Sequence, residues 1–260
     1  MVIIPPVVPP LPIEKPYARH VEADAPFAWL RAGWSDLTTD AGPSLLYGLF
    51  VFLLSAGIIG GLVWFGWDYA LFPVIAGFLV FAPTLAIGLY AKSRALEQDE
   101  PVSLRHMLLP KAVAGGQVLF IGALLCGVML LWLRAAVIIY ALFFGVRAFP
   151  GLDHIAAMLF TSTTGLAMLI VGTLVGGLFA AFSFAISAFS IPMMLDQRID
   201  AMTAIGTSWA LVWNNRRTMI VWGGIVLVLF GLSVATGLLG LIVVFPWLGH
   251  ATWHAYRAMQ

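Results

Sequence analysis

Five long stretches of this sequence contain no Asp, Glu, Lys or Arg. They cover residues 45–67, 69–91, 112–133, 155–195 and 218–249. A helix needs about 20 predominantly apolar residues to cross the hydrocarbon core of a bilayer, so each stretch is long enough to do so. Because 62% of the 260 residues are hydrophobic and only 10% are charged, the chain also has too little polar surface for a soluble globule. The sequence therefore predicts an all-α polytopic membrane protein.

The last stretch is long enough for two helices, which we expect to divide near the glycine-rich segment 234–240. The prediction is therefore six transmembrane helices. The stretch 155–195 exceeds a single bilayer crossing, so we expect either a long tilted helix pair or an interfacial hairpin near 135–154.

The distribution of basic residues predicts the orientation, because short loops rich in Lys and Arg stay in the cytoplasm. With the N-terminus inside, 11 of the 13 basic residues fall on the cytoplasmic side, and only Arg134 and Arg147 fall outside. We therefore expect both termini in the cytoplasm. The basic inner face suits anionic headgroups, so membrane lipids are expected partners.

Residues 1–26 are expected to form a Pro-rich cytoplasmic tail, because prolines interrupt the apolar residues that a signal peptide would need. The tail serves either as a spacer or as a segment that lies along a partner, and the sequence leaves both open. Residues 27–260 then form the six-helix transmembrane domain.

An internal repeat organises this domain. Aligning Pro83 with Pro246 places Arg94 on Arg257, so the second and sixth predicted helices resemble each other. The inward-running helices share a proline followed by an inner arginine: Pro83 with Arg94, Pro192 with Arg198, and Pro246 with Arg257. We therefore expect three repeated hairpins, at about 27–96, 102–200 and 201–260.

A short amphipathic segment precedes each outward-running helix. Apolar residues recur at helical spacing in these segments, with Trp34 in the first and Trp209 in the third. Such helices lie in the plane of the headgroups, with Trp at the boundary.

Two groups of residues predict contacts between helices. Asp196 is expected to form an ion pair with Arg94 or Arg257 where the helices end. Small residues let helix backbones approach closely, and we expect helix packing at four glycines: Gly57, Gly61, Gly172 and Gly176.

His250 and His254 are candidate metal ligands, because residues four apart lie on one face of a helix. Haem or copper binding would need further ligands from other segments. The alternative is that both histidines belong to a belt of aromatic and basic residues where the last helix leaves the bilayer.

No catalytic residues are predicted. The expected span interiors hold no ionisable side chain of the kind that marks ion or proton pathways, and no nucleophile elbow, phosphate loop or zinc-protease motif occurs. A basic soluble module for nucleic acid is also lacking. The sequence thus indicates a protein that is not an enzyme and has no cofactor of its own.

Four motifs resemble an uncharacterised bacterial integral-membrane family, a domain of unknown function whose members are sometimes labelled putative cytochrome c oxidase subunit I. They are RAGWSDL, APTLAIGLYAKSRALEQDEPVSL, IPMMLDQRIDAMTAIGTSW and GLIVVFPWLGHATWHAYRAM. The resemblance implies six helices, a bacterial inner-membrane location and a respiratory context. It does not imply the catalytic oxidase subunit, which resembles a twelve-helix bundle with six metal-binding histidines.

Two functions follow as alternatives. The first is an accessory subunit or assembly factor of a larger respiratory membrane complex of the cytochrome oxidase type. The second is a transporter or lipid-handling protein for neutral or apolar molecules, since parallel repeats with proline-interrupted helices occur in transporters.

Overall fold

Every regular element that the structure describes is helical. The structure, a computed structural model, describes residues 17–110, 112–145 and 151–260, apart from the side chains at 152, 153 and 156. A 3₁₀ turn spans Asp68–Ala70. The helices are α1 (Ala25–Thr38), α2 (Ala41–Trp64), α3 (Leu71–Leu85), α4 (Ile87–Glu97), α5 (Leu104–Leu108), α6 (Gly115–Phe144), α7 (Leu152–Thr161), α8 (Thr163–Ser187), α9 (Ser190–Asp196), α10 (Ala201–Asn214), α11 (Arg216–Ala235) and α12 (Leu241–Ala258). The first 16 residues of the Pro-rich tail and Arg147 lie outside the described residues.

Five helical segments of the described chain are long and apolar enough to cross a membrane. They are Ala41–Trp64, Asp68–Glu97, Gly115–Phe144, Thr163–Asp196 and Arg216–Ala235. The sixth expected span is not among them and is not confirmed. The reason lies in α12, whose second half carries two histidines and an arginine and so lowers the mean hydropathy of the helix.

The relatively polar α12 lies in the middle of the fold. It packs against α1, α2, α4 and α11, and its Trp253 and Tyr256 side chains are fully buried. Gly33 of α1 permits a close approach, because a Cβ there would lie 2.5 Å from the backbone nitrogen of Ala251. Since protein surrounds α12 on several sides, its polar groups need not face lipid.

Two of the three prolines noted above lie beside helix breaks. The break between α3 and α4 falls at Ala86, three residues after Pro83. There the Tyr47 hydroxyl donates to the Leu85 carbonyl oxygen at 2.7 Å. The break between α8 and α9 falls at Ala188 and Phe189, and Pro192 has no N–H to donate to the Ala188 carbonyl oxygen. In contrast, α12 runs through Pro246 without a break.

The long middle stretch resolves into several helices. α6 continues as one helix to Phe144, so an interfacial hairpin beginning near residue 135 is not what forms there. The stretch 155–195 is divided at Ser162, which is extended and whose hydroxyl accepts from the Gly165 amide at the start of α8. A serine N-cap of this kind favours a new helix over a continuous one.

Helices α1, α5 and α10 occupy the three positions where amphipathic segments were expected. Their buried faces are narrow, with Trp29 and Leu37 on α1 and Leu211 on α10. Trp34 and Trp209 remain 45% and 43% exposed. Trp34 packs edge-on against Trp247, with ring centroids 5.2 Å apart.

Candidate functional site

A buried chain of hydrogen-bonded polar side chains joins α1, α2, α4 and α12. We call it the polar network, and it consists of Asp36, Ser44, Lys92, Ser93 and His250. Four of these residues are at most 1% exposed, and only Asp36 reaches the surface. Buried charges and histidines are costly unless they are paired, so this cluster is the most unusual chemistry in the described chain.

His250 is the centre of the network. Its Nε2 lies 2.9 Å from Ser44 Oγ, and its Nδ1 lies 2.8 Å from Ser93 Oγ. Beyond the Nδ1 side, Ser93 Oγ donates to Asp36 Oδ2 at 2.6 Å. Beyond the Nε2 side, Lys92 Nζ donates to Ser44 Oγ at 2.8 Å. Every polar atom of the imidazole therefore has a partner from another helix.

The hydrogen-bond inventory assigns a direction to this chain. A carboxylate can only accept, so the single proton of the Ser93 hydroxyl points at Asp36. Ser93 Oγ must then accept from His250, which places a proton on Nδ1. A neutral imidazole has its lone pair on Nε2, and Ser44 donates to it while accepting from Lys92. Each link thus donates towards Asp36.

Lys92 lies at the buried end of the network. Besides the bond to Ser44, its ammonium group donates to the main-chain oxygen of Asp40 at 2.8 Å. Asp40 is itself in the left-handed region, with φ of 52°. The turn between α1 and α2 therefore presents a carbonyl oxygen to the lysine.

Asp36 and His254 form the exposed end. His254 Nε2 lies 2.9 Å from Asp36 Oδ2, and the two side chains are 23% and 16% exposed, in that order. Burial by itself raises the pKa of Asp36, but the hydrogen bonds with His254 and Ser93 outweigh burial and hold the pKa below its ordinary value of 3.8. Asp36 is therefore an ionised acceptor near neutral pH.

The metal prediction for His250 and His254 receives no support from this geometry. Both nitrogens of His250 face serine hydroxyls, and His254 faces a carboxylate. In the ranges that the structure describes, no group of three or more His, Cys, Asp or Glu side chains is arranged to hold a metal ion. Haem or copper binding at this pair stays a prediction.

A second polar cluster lies where α4, α9 and α12 end. Asp196 lies 3.9 Å from Arg94 Nε and 3.6 Å from Arg257 Nη1, so it contacts both arginines expected as partners. Arg257 also pairs with Glu97 at 3.2 Å, and the Tyr256 hydroxyl donates to Asp196 at 3.0 Å. The cluster ties three separate parts of the chain together. Arg198 lies in the short segment between α9 and α10.

An apolar cavity of about 100 Å³ lies between α3, α8, α11 and α12. Pro83 lines it from α3, Phe184 from α8, and Phe230 from α11. Tyr90 of α4 and Thr252 of α12 also line it. α8 and α11, two of the apolar helices that line the cavity, pack mainly on other helices and not on each other.

The four glycines predicted to pack between helices lie in different surroundings. A Cβ on Gly176 would lie 2.9 Å from the Trp132 ring, so α8 approaches α6 closely there. Gly57, Gly61 and Gly172 have open space at the Cβ position within the described chain. Their packing role stays a prediction that needs a partner outside this chain.

Sequence reasoning missed most of the polar network. It counted Lys92 only among the 11 basic residues on the cytoplasmic side, and it gave no role to Ser44, Ser93 or Asp36. A usable signal was present, because Asp36 and Ser44 flank the start of the first span, at the same membrane level as Lys92 and the histidine pair. Helical spacing alone could not show that these segments meet.

The regular elements of the described residues are all helical, and five helical segments are long and apolar enough to cross a membrane. These features define an integral membrane protein of the multi-span class. Residues 71–196 match the model of a family described as "Predicted integral membrane protein (DUF2189)". This confirms the resemblance to an uncharacterised membrane family and covers just under half of the chain. The matched segment includes Lys92, Ser93 and Asp196 but not α1, α2 or α12. No curated protein and no solved structure matches the chain.

Proposed function

We propose that this protein is a non-catalytic membrane protein that binds the end of a lipid acyl chain, or of a similar apolar chain, in the cavity between α3, α8, α11 and α12. The observation that carries the proposal is the apolar lining of a cavity among helices that are long and apolar enough to cross a membrane. It is the lipid-handling alternative that the sequence left open.

The size of the cavity limits what it binds. An apolar cavity of about 150 Å³ holds one benzene molecule, and pockets for whole drug-sized ligands measure about 300–1,000 Å³. A volume of about 100 Å³ therefore fits a short stretch of hydrocarbon and not a complete solute. The rest of the chain would leave through the gap between α8 and α11. Tyr90 and Thr252 add two hydroxyl groups to the lining.

The family match and the apolar helices support an integral membrane protein. For its topology we propose six spans with both termini in the cytoplasm. In that arrangement α12 crosses the bilayer packed against other helices of the chain. A bacterial inner-membrane location is part of the same proposal.

Photo-crosslinking tests lipid binding. The purified protein is reconstituted with a phospholipid that carries a diazirine near the end of one acyl chain, irradiated, and mapped by mass spectrometry. We expect labelling of cavity residues such as Phe184 and Val226. Ala82→Leu fills the cavity and should reduce that labelling to background, whereas Ala123→Leu on the exposed face of α6 should not. Equal cavity labelling in both variants, or labelling confined to exposed faces, contradicts the proposal.

A second candidate function is an accessory subunit or assembly factor of a respiratory complex, as the family resemblance implies. The specific observation in its favour is that the buried residues of α2 are confined to its first half. They are Ser44, Tyr47, Gly48 and Val51. Beyond them, Gly57 and Gly61 present an unoccupied small-residue face of the kind that admits another transmembrane helix.

Affinity purification in mild detergent from cells that express their oxidases tests this second function. Recovery with a larger complex supports it, and replacing Gly57 and Gly61 with Leu should abolish that recovery. Gly127→Leu, at another open glycine on α6, serves as the control. Recovery only as a free monomer or homo-oligomer contradicts it.

A further inference from the structure

We propose that the polar network transfers a proton between its two ends, Lys92 and Asp36, with His250 as the central relay. This activity is separate from lipid binding, because the residues concerned face α1, α2 and α4 and do not line the cavity.

The geometry meets the requirement for proton transfer at every link. The four hydrogen bonds from lysine to carboxylate measure 2.8, 2.9, 2.8 and 2.6 Å. Ser44, His250 and Ser93 each accept one hydrogen bond and donate another, and all the bonds are directed from Lys92 towards Asp36. Proton transfer between positioned groups needs heavy-atom distances of about 2.6–3.2 Å.

The transfer balances without another reactant. Lys92 gives a proton to Ser44 Oγ, and the original hydroxyl proton of Ser44 passes to His250 Nε2. The Nδ1 proton of His250 then passes to Ser93, whose own proton passes to Asp36. Lys92 ends as a neutral amine and Asp36 as a neutral carboxylic acid. The proton on His250 has moved from Nδ1 to Nε2.

The two ends differ in their access to water. Lys92 is 1% exposed, whereas Asp36 and its partner His254 are partly exposed. Asp36 can therefore exchange its proton with the aqueous surface, and Lys92 acts as the enclosed store. The titratable groups around His250 are Asp36 on α1, Asp40 at the α1–α2 turn, Lys92 on α4 and His254 on α12.

A purely structural clamp would need no such arrangement. A direct bond between Lys92 and Asp36 would neutralise both charges, and serine or glutamine could bridge them with fixed hydrogen bonds. The observed relay instead places an imidazole, the side chain that most readily exchanges protons near neutral pH, between two hydroxyl groups.

Nitrogen-15 NMR of the full-length protein in lipid bilayers, with labelled histidine, tests the proposal without any variant. We expect His250 to be neutral with its proton on Nδ1 at neutral pH. As the pH is raised, Lys92 should lose its proton through the network to Asp36 and from there to water, so the His250 proton should move to Nε2. A His250 tautomer that stays the same over the whole range, or that has its proton on Nε2 at neutral pH, overturns the proposal.

Two variants assign the signal and test the coupling. His250→Gln should remove the signal that responds to raised pH, whereas His106→Gln, on α5 and outside the network, should leave it in place. Asp36→Asn removes the group that accepts the proton, so the pH-linked tautomer change of His250 should be lost. A tautomer change that persists in Asp36→Asn also overturns the proposal.

Discussion

Gly48 of α2 lies directly against the carbonyl oxygen of Ile242 in α12. That oxygen lacks its usual helical donor, because the residue four positions on is Pro246, which has no N–H. The absent side chain of Gly48 makes room for the unpaired carbonyl at the crossing of the two helices. The proline and the glycine are therefore linked across helices that are distant in sequence.

Gly48→Ala should destabilise the fold by about 1–3 kcal/mol, the usual cost of overpacking a core. The added methyl group would meet backbone atoms of α12, which cannot rotate away. Thermal unfolding in detergent micelles measures the effect.

The matched control lies on the same helix. Gly57 has open space at its Cβ position, so Gly57→Ala should leave stability unchanged or raise it slightly through helix propensity. Equal destabilisation by both substitutions would contradict the close contact at Gly48.

Tyr47→Phe should cost about 1–3 kcal/mol, because it leaves the Leu85 carbonyl oxygen at the α3–α4 break without a partner. The Leu89 amide, which would bond that oxygen in a regular helix, bonds to Ala86 instead. Tyr69→Phe, on an exposed tyrosine, serves as the control in the same unfolding assay. Indistinguishable melting of the two variants would show that the Tyr47 bond contributes little.

The stability of the fold should fall as the pH drops below 3.8. Asp36 has a folded pKa lower than that ordinary value, so its ionised form contributes stability that is complete above 3.8 and is lost as pH falls through the folded pKa. In Asp36→Asn this acid-dependent loss should be smaller. Unfolding curves recorded over a pH series compare the two proteins, and parallel curves would contradict the assignment.

Asp196→Asn should have a modest effect, about 1 kcal/mol or less, because both arginine partners are partly exposed. The difference from the unmodified protein should shrink as salt is added, since salt screens exposed charges. Asp99→Asn, at an exposed residue after α4, provides the comparison. A salt-independent effect would indicate that Asp196 acts through its hydrogen bond from Tyr256 instead.

The helical class, the membrane location and the positions of α1, α5 and α10 could be predicted from sequence, because apolar length and helical periodicity are local properties. Comparing helix ends across the expected repeat predicted an ion pair of Asp196 with Arg94 or Arg257, and the structure has contacts to both. The number of spans could not be fixed in the same way. A hydropathy average depends only on the residues of the helix itself. It does not register that neighbouring helices surround the polar half of α12.

The polar network was beyond prediction for a related reason. His250 was predicted only as a metal ligand, and its hydrogen-bond partners come from α1, α2 and α4, which no pattern within a single segment indicates. Lys92 follows the rule for cytoplasmic loops so well that nothing marks it as buried. The apolar cavity depends on the separation of α8 and α11, which is a property of packing alone.

A high-resolution structure of the protein in lipid nanodiscs tests the central claim of chain binding most directly. We predict continuous density for an acyl chain that passes between α8 and α11 and ends beside Pro83 and Phe230. A cavity filled by rearranged side chains, or one that lies empty while lipids are resolved elsewhere on the surface, would contradict that claim.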